Sequence, residues 1–252
     1  MTSNKEKIIV ALDVETATEA REIIDELRGE VGAFKIGLQL FTAAGASFVR
    51  EVAGGGVKLF LDVKFHDIPN TVAKASIEVA RLSVWMFNVH ALGGGEMLAR
   101  AVETVREVCA KESLRQPKII GVTVLTSADE KTLSEVGIEA ETGAQVLRLA
   151  KLTAKCGLDG VVAAPIETRL LRENLGNDFL IVTPGVRPQL SDLKVGTSDD
   201  QKRVMTASEA LNSGADFLVI GRPILLAENR RAAVRKILGE IEERKREGVR
   251  ES

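Results

Sequence analysis

Lys58-Leu59-Phe60-Leu61-Asp62-Val63-Lys64-Phe65-His66-Asp67-Ile68-Pro69-Asn70-Thr71 is an apolar run broken by charge. It reads as a buried strand. Side chains alternate across a strand, so Asp62 and Lys64 share a face with Phe60. Leu59, Leu61, Val63 and Phe65 line the opposite face. Burying a carboxylate and an ammonium at a strand end costs several kcal/mol per ion unless the two are well paired. A structural ion pair closing the strand is one reading. An active site is the favoured one, because perturbed charges collect where chemistry is done.

Working outward, short apolar strands alternate with longer amphipathic segments along the whole chain. The expected strands are Ile8–Asp13, Ala33–Ile36, Lys58–Lys64, Val84–His90, Ile119–Leu125, Gly160–Ala163, Leu180–Thr183 and Phe217–Ile220. Helical patterns cover Thr16–Arg28, Asn70–Leu82, Glu96–Glu112, Thr142–Cys156, Ile166–Asn174, Ala207–Ser213 and Ile224–Arg246. This βα alternation predicts an α/β fold, a (β/α)8 TIM barrel, with a doubly wound open sheet as the alternative. No Pro- or Ser-rich linker divides the chain, so a single domain over 1–252 is expected, ending in a charged helix.

In a barrel one strand parity faces the interior. Asp13 shares parity with Ile9 and Ala11, Lys35 lies between helix-facing Phe34 and Ile36, and Asn88 pairs in parity with His90. Polar residues thus gather on the inward parity at the C-terminal ends of four successive strands, the end where barrel enzymes place their chemistry. Asp67 breaks the parity. Before Ile68-Pro69 it either caps its own helix or reaches toward a neighbouring subunit.

At the other end, Phe217-Leu-Val-Ile-Gly221-Arg222-Pro223 is a strand followed by a helix. Gly221 permits close backbone approach, Arg222 offers a bidentate fork, and the place after strands seven and eight suits phosphate. Strand seven leads through Thr183-Pro-Gly-Val-Arg187-Pro188 into a polar loop ending near Gln201, read as a binding segment.

Bulk properties exclude other classes. A net charge of −2 over 252 residues gives no reason to expect nucleic acid or an anionic membrane as partner. Aromatic content of 4%, with no Tyr, argues against base-stacking platforms. No apolar run spans a membrane and no signal-peptide core precedes the first strand, so a cytoplasmic location is expected, with Cys109 and Cys156 as buried free thiols. His66 and His90 read as structural histidines rather than general bases. Gly54–Gly56 and Gly93–Gly95 read as turns, and Trp85 and Met86 as strand core.

Taken together, Ala11-Leu-Asp13, Phe34-Lys-Ile-Gly37, Leu61-Asp-Val-Lys-Phe-His-Asp-Ile-Pro-Asn-Thr71, Val89-His-Ala91, Gly121-Val-Thr-Val-Leu-Thr-Ser127, Val182-Thr-Pro-Gly-Val-Arg-Pro188 and Val219-Ile-Gly-Arg-Pro223 resemble the orotidine 5′-phosphate decarboxylase family over nearly the whole chain. The Asp62-x-Lys64-x-x-Asp67 element is shared with sugar-phosphate relatives; the Leu125-Thr-Ser and Thr183-Pro-Gly-Val-Arg-Pro segments make the resemblance specific. The resemblance implies cofactor-free, metal-free decarboxylation of orotidine 5′-phosphate to UMP by a Lys35–Asp62–Lys64–Asp67 charge array. It implies a homodimer with shared sites, in which Asp67, Ile68 and Thr71 serve the partner's pocket. Asp13 and Lys35 would hold the ribose, Thr126 and Ser127 face the pyrimidine, and Arg187, Gln201, Gly221 and Arg222 grip the phosphate, with Pro184 also in contact. The loop between Arg187 and Gln201 is longer than in familiar bacterial members. Two rivals stay open: a magnesium-dependent sugar-phosphate decarboxylase or aldolase, and a non-catalytic phosphate-ligand binding protein.

Overall fold

Eight parallel strands close into a ring in which each pairs with its neighbours in chain order. They are β1 (Ile8–Ala11), β2 (Ala33–Gly37), β3 (Leu59–Phe65), β4 (Met86–His90), β5 (Lys118–Val122), β6 (Gly160–Val162), β7 (Leu180–Pro184) and β8 (Phe217–Ile220). The last strand returns to the first, Ile8 opposite Leu218 and Val10 opposite Ile220, which rules out an open doubly wound sheet. The computed structural model describes residues 3–187 and 204–250.

Ten helices are seen among the described residues: α1 (Ala17–Leu27), α2 (Leu38–Gly54), α3 (Pro69–Arg81), α4 (Gly94–Glu112), α5 (Glu130–Glu135), α6 (Thr142–Lys155), α7 (Thr168–Leu175), α8 (Ala207–Asn212), α9 (Arg222–Leu225) and α10 (Arg230–Arg250). Local chemistry sets their starts. Thr16 Oγ1 accepts the Glu19 N–H to cap α1. Pro69 opens α3, where its missing N–H costs nothing. Thr206 and Glu209 form a reciprocal capping box on α8.

The strand parities divide the core into two layers. Inward residues Ile9, Phe60, Met86, Ile120, Val182 and Val219 pack inside the ring. The opposite parity, including Ile8, Phe34, Leu59, Leu61, Phe87 and Ile181, packs outward against the helices. Burying each of these large side chains is worth roughly 1.5–3 kcal/mol. The ring is tight at Gly160, where a Cβ would collide with the backbone carbonyl of Leu180.

Several expectations need correcting. Helix α2 follows β2, where the sequence pattern predicts no helix. Its stretch is rich in Ala, and Gly45 at φ 71 interrupts the helical geometry midway, which blurs the periodicity. The expected helix Ile224–Arg246 is two helices, parted between Leu225 and Arg230. β1 and β5 stop at Ala11 and Val122, short of Asp13 and Leu125, which therefore sit on loops over the barrel mouth. Trp85 precedes β4 and is half-buried, its ring 5.1 Å edge-on to Phe217. Cys109 is a buried free thiol as expected, but Cys156 is only half-buried. Among the described residues no helix is long and apolar enough to cross a membrane.

Candidate active site

The inward parity delivers charge to the C-terminal end of the ring. From β2, Lys35 points in and is 8% exposed. Its ammonium lies 3.2 Å from Asp62 Oδ2 and 3.4 Å from Asp13 Oδ1. From β3, Lys64 Nζ donates to Asp62 Oδ1 at 2.7 Å. Asp62 therefore sits between two ammonium groups. Burial alone would push its carboxyl up, but Lys35 and then Lys64, with hydrogen bonds from Lys64 and Asn88, hold it down at about 2. Burial pulls Lys35 down, yet the Asp62 and Asp13 carboxylates outweigh it and hold its ammonium above the ordinary lysine value. Both charges are thus kept through the neutral range.

The backbone around Lys64 departs from a regular strand. Phe60 pairs with Met86 and Leu61 with Phe87, but the next pair is Phe65 with Val89. Asp62, Val63 and Lys64 therefore lie opposite the single β4 residue Asn88. Lys64 itself has φ 51, a left-handed conformation that costs an L-residue on the order of 1–3 kcal/mol. The regular alternation expected for Asp62 and Lys64 is thus broken by a bulge, although their side chains still meet.

Above the array opens a cavity of about 230 Å³, room for one small molecule rather than a polymer segment. Asp13, Lys35, Asp62, Lys64, Thr126, Pro184, Arg187, Gly221 and Arg222 all line it. Its apolar wall comes from Phe60, Val122, Val124, Leu125, Val162 and Val219, mostly missed as site residues although strand parity marks Phe60, Val122, Val162 and Val219. Arg187 is fixed by a two-residue parallel ladder, Val186 with Met205 and Arg187 with Thr206, that follows a turn at Gly185 with φ 86. Gly221 is close-packed: a Cβ there would approach Asp13 Oδ2 to 3.2 Å. Arg222 begins the four-residue α9, so its guanidinium, and no helix field, carries the positive charge at this end.

Four of the predicted residues that the structure describes are not among the cavity's lining. Ser127 is exposed beside it. Asp67 is exposed and spends Oδ1 on the Ile68 N–H at 2.7 Å, and among the described residues it forms no ion pair. It is not the N-cap of α3, a place taken by Ile68. Ile68 is 66% exposed, a large apolar side chain presented to the outside, and Thr71 beside it is also exposed. Gln201 lies outside the described residues, as does Pro188. Among the described residues no group of three or more His, Cys, Asp or Glu is placed to hold a metal ion.

His66 and His90 stack with ring centroids 5.4 Å apart. Burial, then the neighbouring His66 and Lys64 charges, lower the His90 imidazole to about 4. A ring held neutral in this way beside Lys64 adds no further positive charge to the array.

Residues 6–237 match the family described as Orotidine 5′-phosphate decarboxylase / HUMPS family. An orotidine 5′-phosphate decarboxylase of Syntrophotalea carbinolica is 52% identical, covering 94% of this chain and 95% of its own. One from Moorella thermoacetica is 53% identical, covering 94% and 93%. The crystal structure of orotidine 5′-phosphate decarboxylase from Lactobacillus acidophilus superposes with a TM-score of 0.80 at 36% identity, over 93% of this chain and 98% of that one.

Proposed function

The chain belongs to the orotidine 5′-phosphate decarboxylase / HUMPS family, and from that premise we propose the chemistry of its site. It is a carbon–carbon lyase that converts orotidine 5′-phosphate to UMP and CO2 in pyrimidine biosynthesis. The observation that carries the reading is the Lys35–Asp62–Lys64 array at the mouth of the barrel, beside a cavity that Arg187 and Arg222 also line.

In the reaction the bond from C6 to the carboxylate carbon breaks, CO2 leaves, and the electron pair stays on C6. That carbanion lies in the ring plane with no conjugating sink. A fixed positive charge that is better matched to the carbanion than to the substrate lowers the barrier. Lys64 stabilises the developing charge and then donates a proton from Nζ to C6, regaining it from solvent. Asp62, close to the leaving carboxylate, disfavours the ground state, and Lys35 keeps Asp62 ionised. Phosphate binding, remote from C6, supplies energy for ordering the site. No cofactor or metal takes part.

Asp67 completes the array from a second copy of the chain in a homodimer. Support for this comes from its exposure, from the lack of an ion partner for it among the described residues, and from exposed Ile68 beside it. Asp13 and Lys35 hold the ribose, Thr126 and Ser127 the pyrimidine, and Arg187, Gly221 and Arg222 the phosphate, with Gln201 joining them and Pro184 against the ligand.

The test is turnover of orotidine 5′-phosphate by wild type and Lys64→Ala, each with and without chelator. Wild type should turn over fully in chelator, and Lys64→Ala should lose turnover while still binding UMP. Activity lost in chelator and restored by magnesium would favour a sugar-phosphate relative. Appreciable turnover by Lys64→Ala would remove the proposed proton donor.

A further inference from the structure

Both ends of the Asn88 amide are engaged by the strand that carries Asp62 and Lys64. It is fully buried at the inward centre of β4. Its Nδ2 donates to Asp62 Oδ1 at 2.7 Å, the same oxygen that accepts from Lys64 Nζ. Its Oδ1 accepts the backbone N–H of Lys64, also at 2.7 Å. Three residues of β3 lie opposite this one residue of β4, so the backbone ladder is interrupted where Lys64 needs an acceptor. The Asn88 side chain supplies it. Lys64 meanwhile holds φ 51, a region that L-residues rarely enter.

We propose that Asn88 is a positioning residue for decarboxylation: it fixes the Lys64 backbone in its left-handed turn with one end of its amide and the Asp62 carboxylate with the other. Only a group with a donor and an acceptor side by side can do both. A leucine would leave a buried N–H and a carboxylate oxygen unmet, and a second carboxylate would face Asp62 with no proton between them. Asn88 does not touch the cavity, so it acts through Lys64 and Asp62 and not on the substrate. The inference rests on the reading of Lys64 as proton donor.

Two variants test it. Asn88→Ala should keep UMP affinity and substrate KM within a few-fold of wild type while kcat falls by about 10²-fold, the cost of a misplaced catalytic group. Asn88→Asp should be inactive near pH 8 and regain activity toward pH 5. One proton shared between the introduced carboxyl and Asp62 restores a donor to Asp62 and an acceptor for Lys64. The charges facing the position are Asp62 and Lys64 on β3, Lys35 on β2, and His66 with His90 at the ends of β3 and β4; β5 presents Ile120 as its register partner. His90, held at about 4, stays mostly neutral over that range, and reading the signal as the ratio of variant to wild-type kcat across pH removes any titration common to both proteins.

Near-normal kcat in Asn88→Ala would overturn the proposal. So would KM and UMP affinity lost in parallel with kcat, an Asn88→Asp profile parallel to wild type, or wholesale unfolding of both variants, which would assign Asn88 to the fold alone. Should Lys64→Ala also turn over normally, the proton-donor reading falls as well. If Lys64→Ala is dead while Asn88→Ala is fast, only the positioning role falls.

Discussion

Replacing Asp62 with asparagine removes one charge and almost no volume, and the structure dictates how badly an amide fits. Oδ1 of Asp62 receives Lys64 Nζ and Asn88 Nδ2, each at 2.7 Å, while Lys35 Nζ lies 3.2 Å from Oδ2. If the amide oxygen takes the Oδ1 seat, its NH2 faces the Lys35 ammonium. If it is flipped, the NH2 meets two donors. Breaking a buried pair by removing one partner costs roughly 3–5 kcal/mol. Asp13, 3.4 Å from Lys35 but 56% exposed, offsets part of that. The carboxyl's fall from 3.8 to about 2 is worth roughly 2 kcal/mol, present above pH 4 and lost as pH falls toward 2. Asp62→Asn should therefore lose about 2–4 kcal/mol at pH 7, read by urea unfolding.

The pH dependence of that loss separates charge from packing. In wild type Lys35 is raised above 10.5, so its contribution is complete below that value and fades as pH climbs through the folded pKa. In the variant burial dominates, the folded pKa drops below the unfolded one, and stability improves as pH rises. The two stability curves should converge between pH 9 and 11. A deficit under about 1 kcal/mol at pH 7, or one that stays constant to pH 11, would refute the electrostatic account.

His90, held at about 4, resists protonation when folded, so the unfolded chain takes up its proton first and stability is lost as pH falls from 6.5 toward 4. His90→Asn should flatten that slope by at most about 3 kcal/mol, less where solvent screens the ring, in unfolding scans at pH 7.5 and 4.5. Arg222→Ala should weaken UMP by roughly 10- to 100-fold, as the loss of a charge-assisted hydrogen bond of about 1.5–3 kcal/mol requires, and leave uridine affinity unchanged in calorimetric titrations. Mixing inactive Lys64→Ala and Asp67→Ala subunits should restore about a quarter of wild-type activity, since each heterodimer holds one intact site. No recovery after subunit exchange would place Asp67 outside the shared pocket.

The alternation of strand and helix patterns was enough to find the barrel, and strand parity to bring Lys35, Asp62 and Lys64 to one end of it, because a closed parallel sheet leaves each side chain only an inward or an outward choice. The same rule fails at Lys64. Nothing in Asp62-Val-Lys64-Phe65 marks a bulge: the segment lacks the glycine that usually announces positive φ, and its apolar rhythm is unbroken. The only trace of it lies 24 residues away, in an asparagine at an inward position of β4 where a barrel interior would ordinarily take a Val or Ile. A buried amide at such a place must find partners for both ends. With Leu61 paired to Phe87 and Phe65 to Val89, the partners within reach are the carboxylate and the N–H on the stretch between. An inward asparagine facing a strand that carries Asp-x-Lys is thus a sequence-level warning that the strand is not regular there. α2 is hidden in the sequence for the opposite reason, since Gly45 breaks a helix that tertiary packing nonetheless supports. Asp67 is the remaining gap: its parity, exposure and turn all direct it away from its own cavity, as the contribution proposed for it to a second copy's site requires.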